Sequence, residues 1–203
     1  GMQQTFGILP VSHDEHALCI DKVRFVGDPI LAVAATTEDA ATEAALAVEV
    51  EYEALATVSD VKGAIAERDD IIHDYGDDKN IHKVVSMEFG EVDEGFEEAD
   101  FVMEADCCLE GNTPLPMEPH ATIAVPELDG KITVHSSTQT PHYLHKAMAK
   151  VLEIPASHIR IIATPNGGGF GGKTIVFLEP VAMVLSKKTG RPVKMQHSSE
   201  EVF

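Results

Sequence analysis

Between Pro165 and Thr174 the chain reads PNGGGFGGKT, with five glycines among residues 167–172. No helix or strand tolerates that density, because each glycine inside a regular element forfeits roughly 0.5–1 kcal/mol relative to alanine. The stretch is a connection, and it brackets what lies on either side. Before it, HIRIIAT has the β-branched run of a strand. After it, IVFLEPVAMVLSKKTGRP is apolar and helical beyond Pro180, with Lys187 and Lys188 in the last turn and Gly190 as the stop. Two nucleotide patterns fit the loop. Gly167, Gly172, Lys173 and Thr174 satisfy G-x-x-x-x-G-K-[ST], and Gly167, Gly169 and Gly172 satisfy G-x-G-x-x-G. Neither is completed. A P-loop needs a later strand ending in a magnesium-binding Asp, and none follows Lys173. The dinucleotide fingerprint needs an acidic residue about 20 positions on, whereas Glu200 stands well past that distance from Gly172. The bland alternative is a turn that lets helix and strand pack closely. The glycine density favours backbone approaching a ligand.

The rest of the chain supplies a frame of mixed elements. KVRFVGDPILAVAA reads as two strands about Gly27, Asp28 and Pro29. TTEDAATEAAL follows as a helix capped by Thr36 or Thr37 and passes into a strand near Val48, a strand–helix–strand unit over about 22–53. Residues 59–84, acidic and broken by Gly63 and Gly76, read as a linker with a short helix near 60–67. Two alternating apolar stretches then flank GEVDEGFEEA, whose carboxylates read as a solvated helical turn; their spacing is not that of an EF-hand loop. ATIAVPELDGKITVHSS is a hairpin turning at Asp129-Gly130. In TQTPHYLHKAMAKVLEIP, Thr140 caps and Pro141 opens a helix whose Leu144, Ala147, Met148, Val151 and Leu152 form one apolar stripe. VKMQHS closes as a strand. The class is α+β.

Charge and cysteine content narrow the partners. A net charge of -19 argues against nucleic acid and anionic membranes. The three cysteines, Cys19, Cys107 and Cys108, offer no disulfide framework and no CxxC spacing, which points to a reducing cytoplasm and away from a zinc or iron–sulfur site in this chain. No apolar run reaches a membrane span, and no secretory leader pattern opens the chain. Gly1 ahead of Met2 reads as an expression scar. His142 and His145, three apart on one helix, lack a third ligand and read as surface histidines.

GGGFGGK after a strand, TQTP about 30 residues earlier at a helix start, LEIPASHIRI between them, MEPHATIAV and RPVKMQHSSEEVF together resemble the molybdenum-cofactor subunit of the xanthine dehydrogenase/aldehyde oxidase family. The segment DKVRFVGDPILAVAATTEDAATEAALAVEVEYE is similar to the end of the α/β-hammerhead domain that precedes it. The resemblance covers about 22–203. The MEPHA and TQTPH forms look closest to the branch that includes 4-hydroxybenzoyl-CoA reductase. It implies an α/β-hammerhead end over 1–58, a linker over 59–84 and the first part of the molybdopterin-binding domain over 85–203.

The resemblance also implies roles. The cofactor is a molybdopterin with no direct protein ligand to the metal. Gly168, Gly169, Phe170 and Gly171 would face it with backbone N–H groups, and the Gln139 amide would donate to its apical oxo group without adding charge. Thr174 stands where xanthine-specific members carry a purine-reading glutamate, which argues for an aldehyde, an aromatic acyl-CoA or another N-heterocycle. Glu118 and His120 are candidates to line the substrate channel. The family's catalytic glutamate lies far downstream, and no residue here corresponds to it, so the chain reads as a fragment or split subunit, inactive alone. Partners would be the rest of the molybdenum subunit, an iron–sulfur subunit and a flavin subunit with FAD; uncovered apolar faces would favour self-association. A catalytically silent remnant or assembly module of the same fold, and a P-loop nucleotide binder, stay open.

Overall fold

In the computed structural model, residues 4–7, 13–66, 71–73 and 79–203 are described. The chain divides into two units, one made of Gly1–Tyr52 with Thr113–Phe203 and the other of Glu53–Asn112.

The core of the first unit grows from the hairpin. Strand β1 (Ala121–Pro126) and strand β2 (Ile132–Ser136) pair antiparallel, with Ala124 opposite Val134. Alternation puts Thr122, Ala124, Ile132, Val134 and Ser136 on one buried face. The stripe of helix α4 (Pro141–Val151) joins that face in one hydrophobic core. Leu144, Ala147, Met148 and Val151 are buried, and Leu152 is half-buried as the C-cap. Pro141 occupies the first turn as the sequence predicts. Thr140 is the N-cap residue, but its hydroxyl donates to the Thr174 carbonyl at 2.7 Å instead of capping the helix. Beyond α4 a single 3-10 turn, Ala156–His158, leads into β3 (Ile159–Ala163), which pairs parallel to β2. Helix α5 (Glu179–Thr189) stops at Gly190, whose φ of 65° is the left-handed C-cap glycine favours. Strand β4 (Val193–Gln196) pairs antiparallel to β1, so the sheet runs β3-β2-β1-β4. The fully buried Ser186 of α5 lies within hydrogen-bond distance of the Ala124 and Arg191 carbonyls, at 3.1 and 2.9 Å.

Upstream, the sequence reading holds for helices and fails for strands. Helix α1 spans Glu38–Leu46, and the Thr37 side chain accepts the Ala40 N–H. In the second unit, α2 (Val61–Ala66) and α3 (Val92–Glu98) form where expected, and α3 buries none of its residues. Gly76, expected to break the linker, lies outside the described residues. No paired strand forms over 22–35 or 48–53, contrary to expectation. A helix closes its hydrogen bonds within itself, whereas an extended segment becomes a strand only beside a partner. The described backbone offers neither segment one, and Phe25, Val26 and Tyr52 stay exposed. The sequence reading also missed α6 (Ser199–Val202), although Ser198 and Glu201 make a full capping box.

The stripe on α4 is the test of this packing. Met148→Ala should lower unfolding free energy by about 2–5 kcal/mol, whereas Phe96→Ala on the exposed α3 should change it by less than about 0.5 kcal/mol; urea titrations of both variants read the difference.

Candidate functional site

The topology sets where the site forms. Strands β2 and β3 are parallel neighbours that end level, Ser136 opposite Ala163. Whatever follows either strand emerges at one edge of the sheet, where open α/β units bind ligands. Gln139 comes three residues after β2, and the glycine loop follows β3. Because β1 runs antiparallel to that pair and β4 antiparallel to β1, the residues before β1 (Glu118 and His120) and after β4 (His197) reach the same edge.

The two segments are stitched together. Thr164 N–H donates to the Ser136 carbonyl at 3.0 Å, and the Asn166 side chain donates to the Ser137 carbonyl at 3.2 Å. Gln139 N–H donates to the Lys173 carbonyl at 2.9 Å. In return Lys173 N–H and Gly171 N–H both donate to Gln139 Oε1, each at 3.2 Å. Two N–H donors can only face the amide oxygen, so the Gln139 orientation is fixed by chemistry. No described residue takes its Nε2 donors. A Cβ at buried Gly169 would stand 2.4 Å from Gln139 Oε1, so only glycine allows this approach.

The loop carries unused donors of its own. Gly167 N–H is taken by Glu118 at 2.7 Å, and Gly172 N–H by the Gly169 carbonyl at 2.7 Å. The N–H groups of Gly168, Gly169 and Phe170 have no hydrogen-bond acceptor among the described residues. Phe170 holds a φ of 51°, in the left-handed region, and the residue is 74% exposed. A non-glycine residue there costs about 1–2 kcal/mol, and such strain gathers where structure serves a ligand.

Lys173 is the residue to which the sequence reading gave no role. Its side chain is wholly buried, and Nζ donates to Glu118 Oε2 at 2.7 Å and to Asn166 Oδ1 at 3.1 Å. A phosphate-binding lysine must be free, and a P-loop helix starts at its Lys-Thr. Here α5 begins only at Glu179. The P-loop reading fails on both counts. Glu118 and His120, expected beside a substrate channel, brace the loop: Glu118 through Gly167 and Lys173, His120 by donating Nε2–H to the Gly172 carbonyl at 2.9 Å. The His120 ring packs against Phe177 and His197 at 4.5 and 5.4 Å between centroids. Burial, then His120, pushes the His197 imidazole below its usual value. The cavity bounded by His120, Ser137, Thr138, Lys173, Phe177 and Glu179 holds only about 10 Å³, room for one water. Thr174 hydroxyl donates to the Gly171 carbonyl at 2.7 Å, which keeps the side chain on the loop. Glu179 is buried at the start of α5, accepting from Ser136 Oγ at 2.6 Å and from Phe177 N–H at 3.1 Å.

Known proteins share these segments. Residues 72–203 match the molybdopterin cofactor-binding domain. Residues 2–56 match the aldehyde oxidase and xanthine dehydrogenase a/b hammerhead domain. The chain belongs to the xanthine dehydrogenase/aldehyde oxidase family. It is 40% identical over 196 residues to the nicotinate dehydrogenase large molybdopterin subunit of Eubacterium barkeri, covering 97% of this chain and 45% of that one. To a probable xanthine dehydrogenase subunit of Bacillus subtilis it is 38% identical, covering 97% of this chain and 26% of that one. The crystal structure of quinoline 2-oxidoreductase from Pseudomonas putida 86 superposes over 100% of this chain and 25% of its own, at 25% identity and a TM-score of 0.77. The chain thus spans less than half the length of these xanthine dehydrogenase/aldehyde oxidase relatives. Among the described residues no three His, Cys, Asp or Glu side chains converge on one point, and no helix is long and apolar enough to cross a membrane.

The residues at the sheet edge fit an anionic, oxygen-rich group of the molybdopterin kind. They offer neutral donors with no acceptor of their own, beside a backbone that a single Cβ would block. Their electrostatic support comes from Glu118, whose carboxyl is held below its ordinary value of 4.5 chiefly by the Lys173 hydrogen bond, against a smaller rise from burial. The folded chain therefore binds that proton less readily than the unfolded one. The stability it contributes is complete above the unfolded value and is lost as pH falls through the lowered one. Acid unfolding of the parent should steepen below about pH 4.5, and Glu118→Gln should flatten that limb while lowering stability at neutral pH.

Proposed function

We propose that this chain contributes the glutamine and glycine-loop wall of the molybdopterin site in a molybdenum hydroxylase-type oxidoreductase. The observation that carries the reading is the set of donors at one edge: the Gln139 carboxamide with Oε1 engaged and Nε2 unengaged, beside the unengaged N–H groups of Gly168, Gly169 and Phe170. When bound, the molybdenum cofactor supplies the two-electron redox chemistry at a substrate carbon. Gln139 holds it by a neutral amide, the loop N–H groups shape its bed, and the Phe170 ring stands exposed beside them. The catalytic base, the iron–sulfur and flavin centres and the rest of the cofactor site come from the remainder of the molybdenum subunit and its partners, in keeping with the length of the relatives. For substrate we propose an electron-poor N-heteroaromatic other than xanthine. Support comes from relatives named for nicotinate and quinoline, and from Thr174, which offers a hydroxyl where xanthine-reading relatives of the family place a carboxylate.

Co-produced with the rest of the molybdenum subunit, the chain should carry molybdenum and pterin in equal amounts. Gly169→Ala pushes Gln139 from its seat and should lower that content about tenfold or more. A parent complex that assembles without molybdenum would sink the reading and leave the silent scaffold in its place. Oxidation of xanthine in preference to nicotinate or quinoline by the loaded enzyme would overturn the substrate assignment alone.

A further inference from the structure

Lys173, a charged side chain buried behind this wall, makes no contact that a cofactor-binding role requires. Its ammonium is wholly buried and its charge is engaged by Glu118. Stability is a weak reason to keep such a pair, since well-packed apolar residues in its place are often neutral or better. What the pair does hold is geometry. Through Nζ, Lys173 grips Glu118, which takes the Gly167 N–H at the loop entrance, and Asn166, which reaches back to the Ser137 carbonyl at the end of β2. Through its backbone, Lys173 makes two reciprocal hydrogen bonds with Gln139, one to the main chain and one to Oε1. One residue thus spans both ends of the glycine loop and sets the direction of the Gln139 amide.

We propose that Lys173 is a positioning residue for Gln139 and the loop donors, its side chain acting from the side of the loop that the cofactor does not touch. The proposal rests on the cofactor reading above. If the Nζ grip is lost, residues 167–173 relax, the two donors on Gln139 Oε1 separate, and the amide is free to turn. The fold has no need of the charge, so fold and cofactor binding should come apart on substitution.

The test uses the enzyme assembled with the rest of its molybdenum subunit, reading molybdenum and pterin content after gel filtration together with the urea midpoint. The double variant Glu118→Leu with Lys173→Met should unfold near the parent midpoint yet hold about tenfold less cofactor, the usual scale for losing an outer support. Lys173→Arg should recover part of that content, because the guanidinium keeps two donors on the same side. A double variant with parental content overturns the proposal. So does a content loss matched by Met148→Ala at equal loss of midpoint, since that is general destabilisation. Gln139→Ala separates the two levels. If it loses cofactor while the double variant keeps it, positioning by Lys173 fails alone; if it keeps full cofactor, the reading of the wall fails and the proposal with it. Should the double variant not fold, Glu118→Gln in the chain itself gives the second measurement. A shift of the Gln139 carboxamide ¹H–¹⁵N signals is expected, and unmoved signals overturn the proposal.

Discussion

A buried ammonium governs this edge of the protein. Lys173 sits where three segments far apart in sequence meet: the MEPH stretch before β1, the TQT stretch after β2 and the loop after β3. Removing a charge from water is expensive, and a buried lysine is tolerated only where acceptors replace the lost hydration. Glu118 and Asn166 are those acceptors, at 2.7 and 3.1 Å. Each also donates or accepts elsewhere, to Gly167 and Ser137, so the demand of one cation fixes the loop at its entrance and exit. A loop with five glycines has little conformational preference of its own. Its shape is imposed from behind.

That arrangement needs the sheet to bring the segments level. The parallel pairing of β2 and β3, joined through α4, makes both strands end at one edge, and antiparallel β1 starts there. The amphipathic stripe of α4 has no chemical role at the site, yet it closes the crossover that sets this register. Thr140 shows the two levels meeting in one residue. It stands at the helix N-cap, but its hydroxyl is used on the Thr174 carbonyl, so the start of α4 is tied to the end of the loop.

Much of this was legible because it is local. The hairpin at Asp129-Gly130, the stripe of α4, the left-handed stop at Gly190 and the cap at Thr37 each depend on a few neighbouring residues, and each forms as the sequence implies. The strands expected over 22–35 and 48–53 depend on a partner, and alternation in one segment does not say that the partner exists. The fate of Lys173 was illegible for the same reason. A motif states that a lysine follows two glycines; it does not state that a glutamate 55 positions earlier is waiting for it. Glu118 and His120 were expected beside a substrate channel, and their hydrogen bonds to the loop were unforeseen.

The glycines themselves now argue differently. Density alone suggested backbone approaching a ligand, yet the chain accounts for its own glycines. Gly169 yields to Gln139, and Gly168, with a φ of 104°, turns the chain. The case for a ligand therefore moves from the missing side chains to the unused donors they leave. Those donors are neutral: an amide and three backbone N–H groups. The nearby cation is buried and already engaged by Glu118. Such a wall can bind an anionic group through dipoles fixed in advance, with no charge to reorganise when the group changes oxidation state. A lysine facing the ligand, as in a P-loop, would instead shift the group's electronics with every change in its own hydration. Burying Lys173 lets the chain use its charge for shape, while the unengaged donors at this edge of the sheet are neutral.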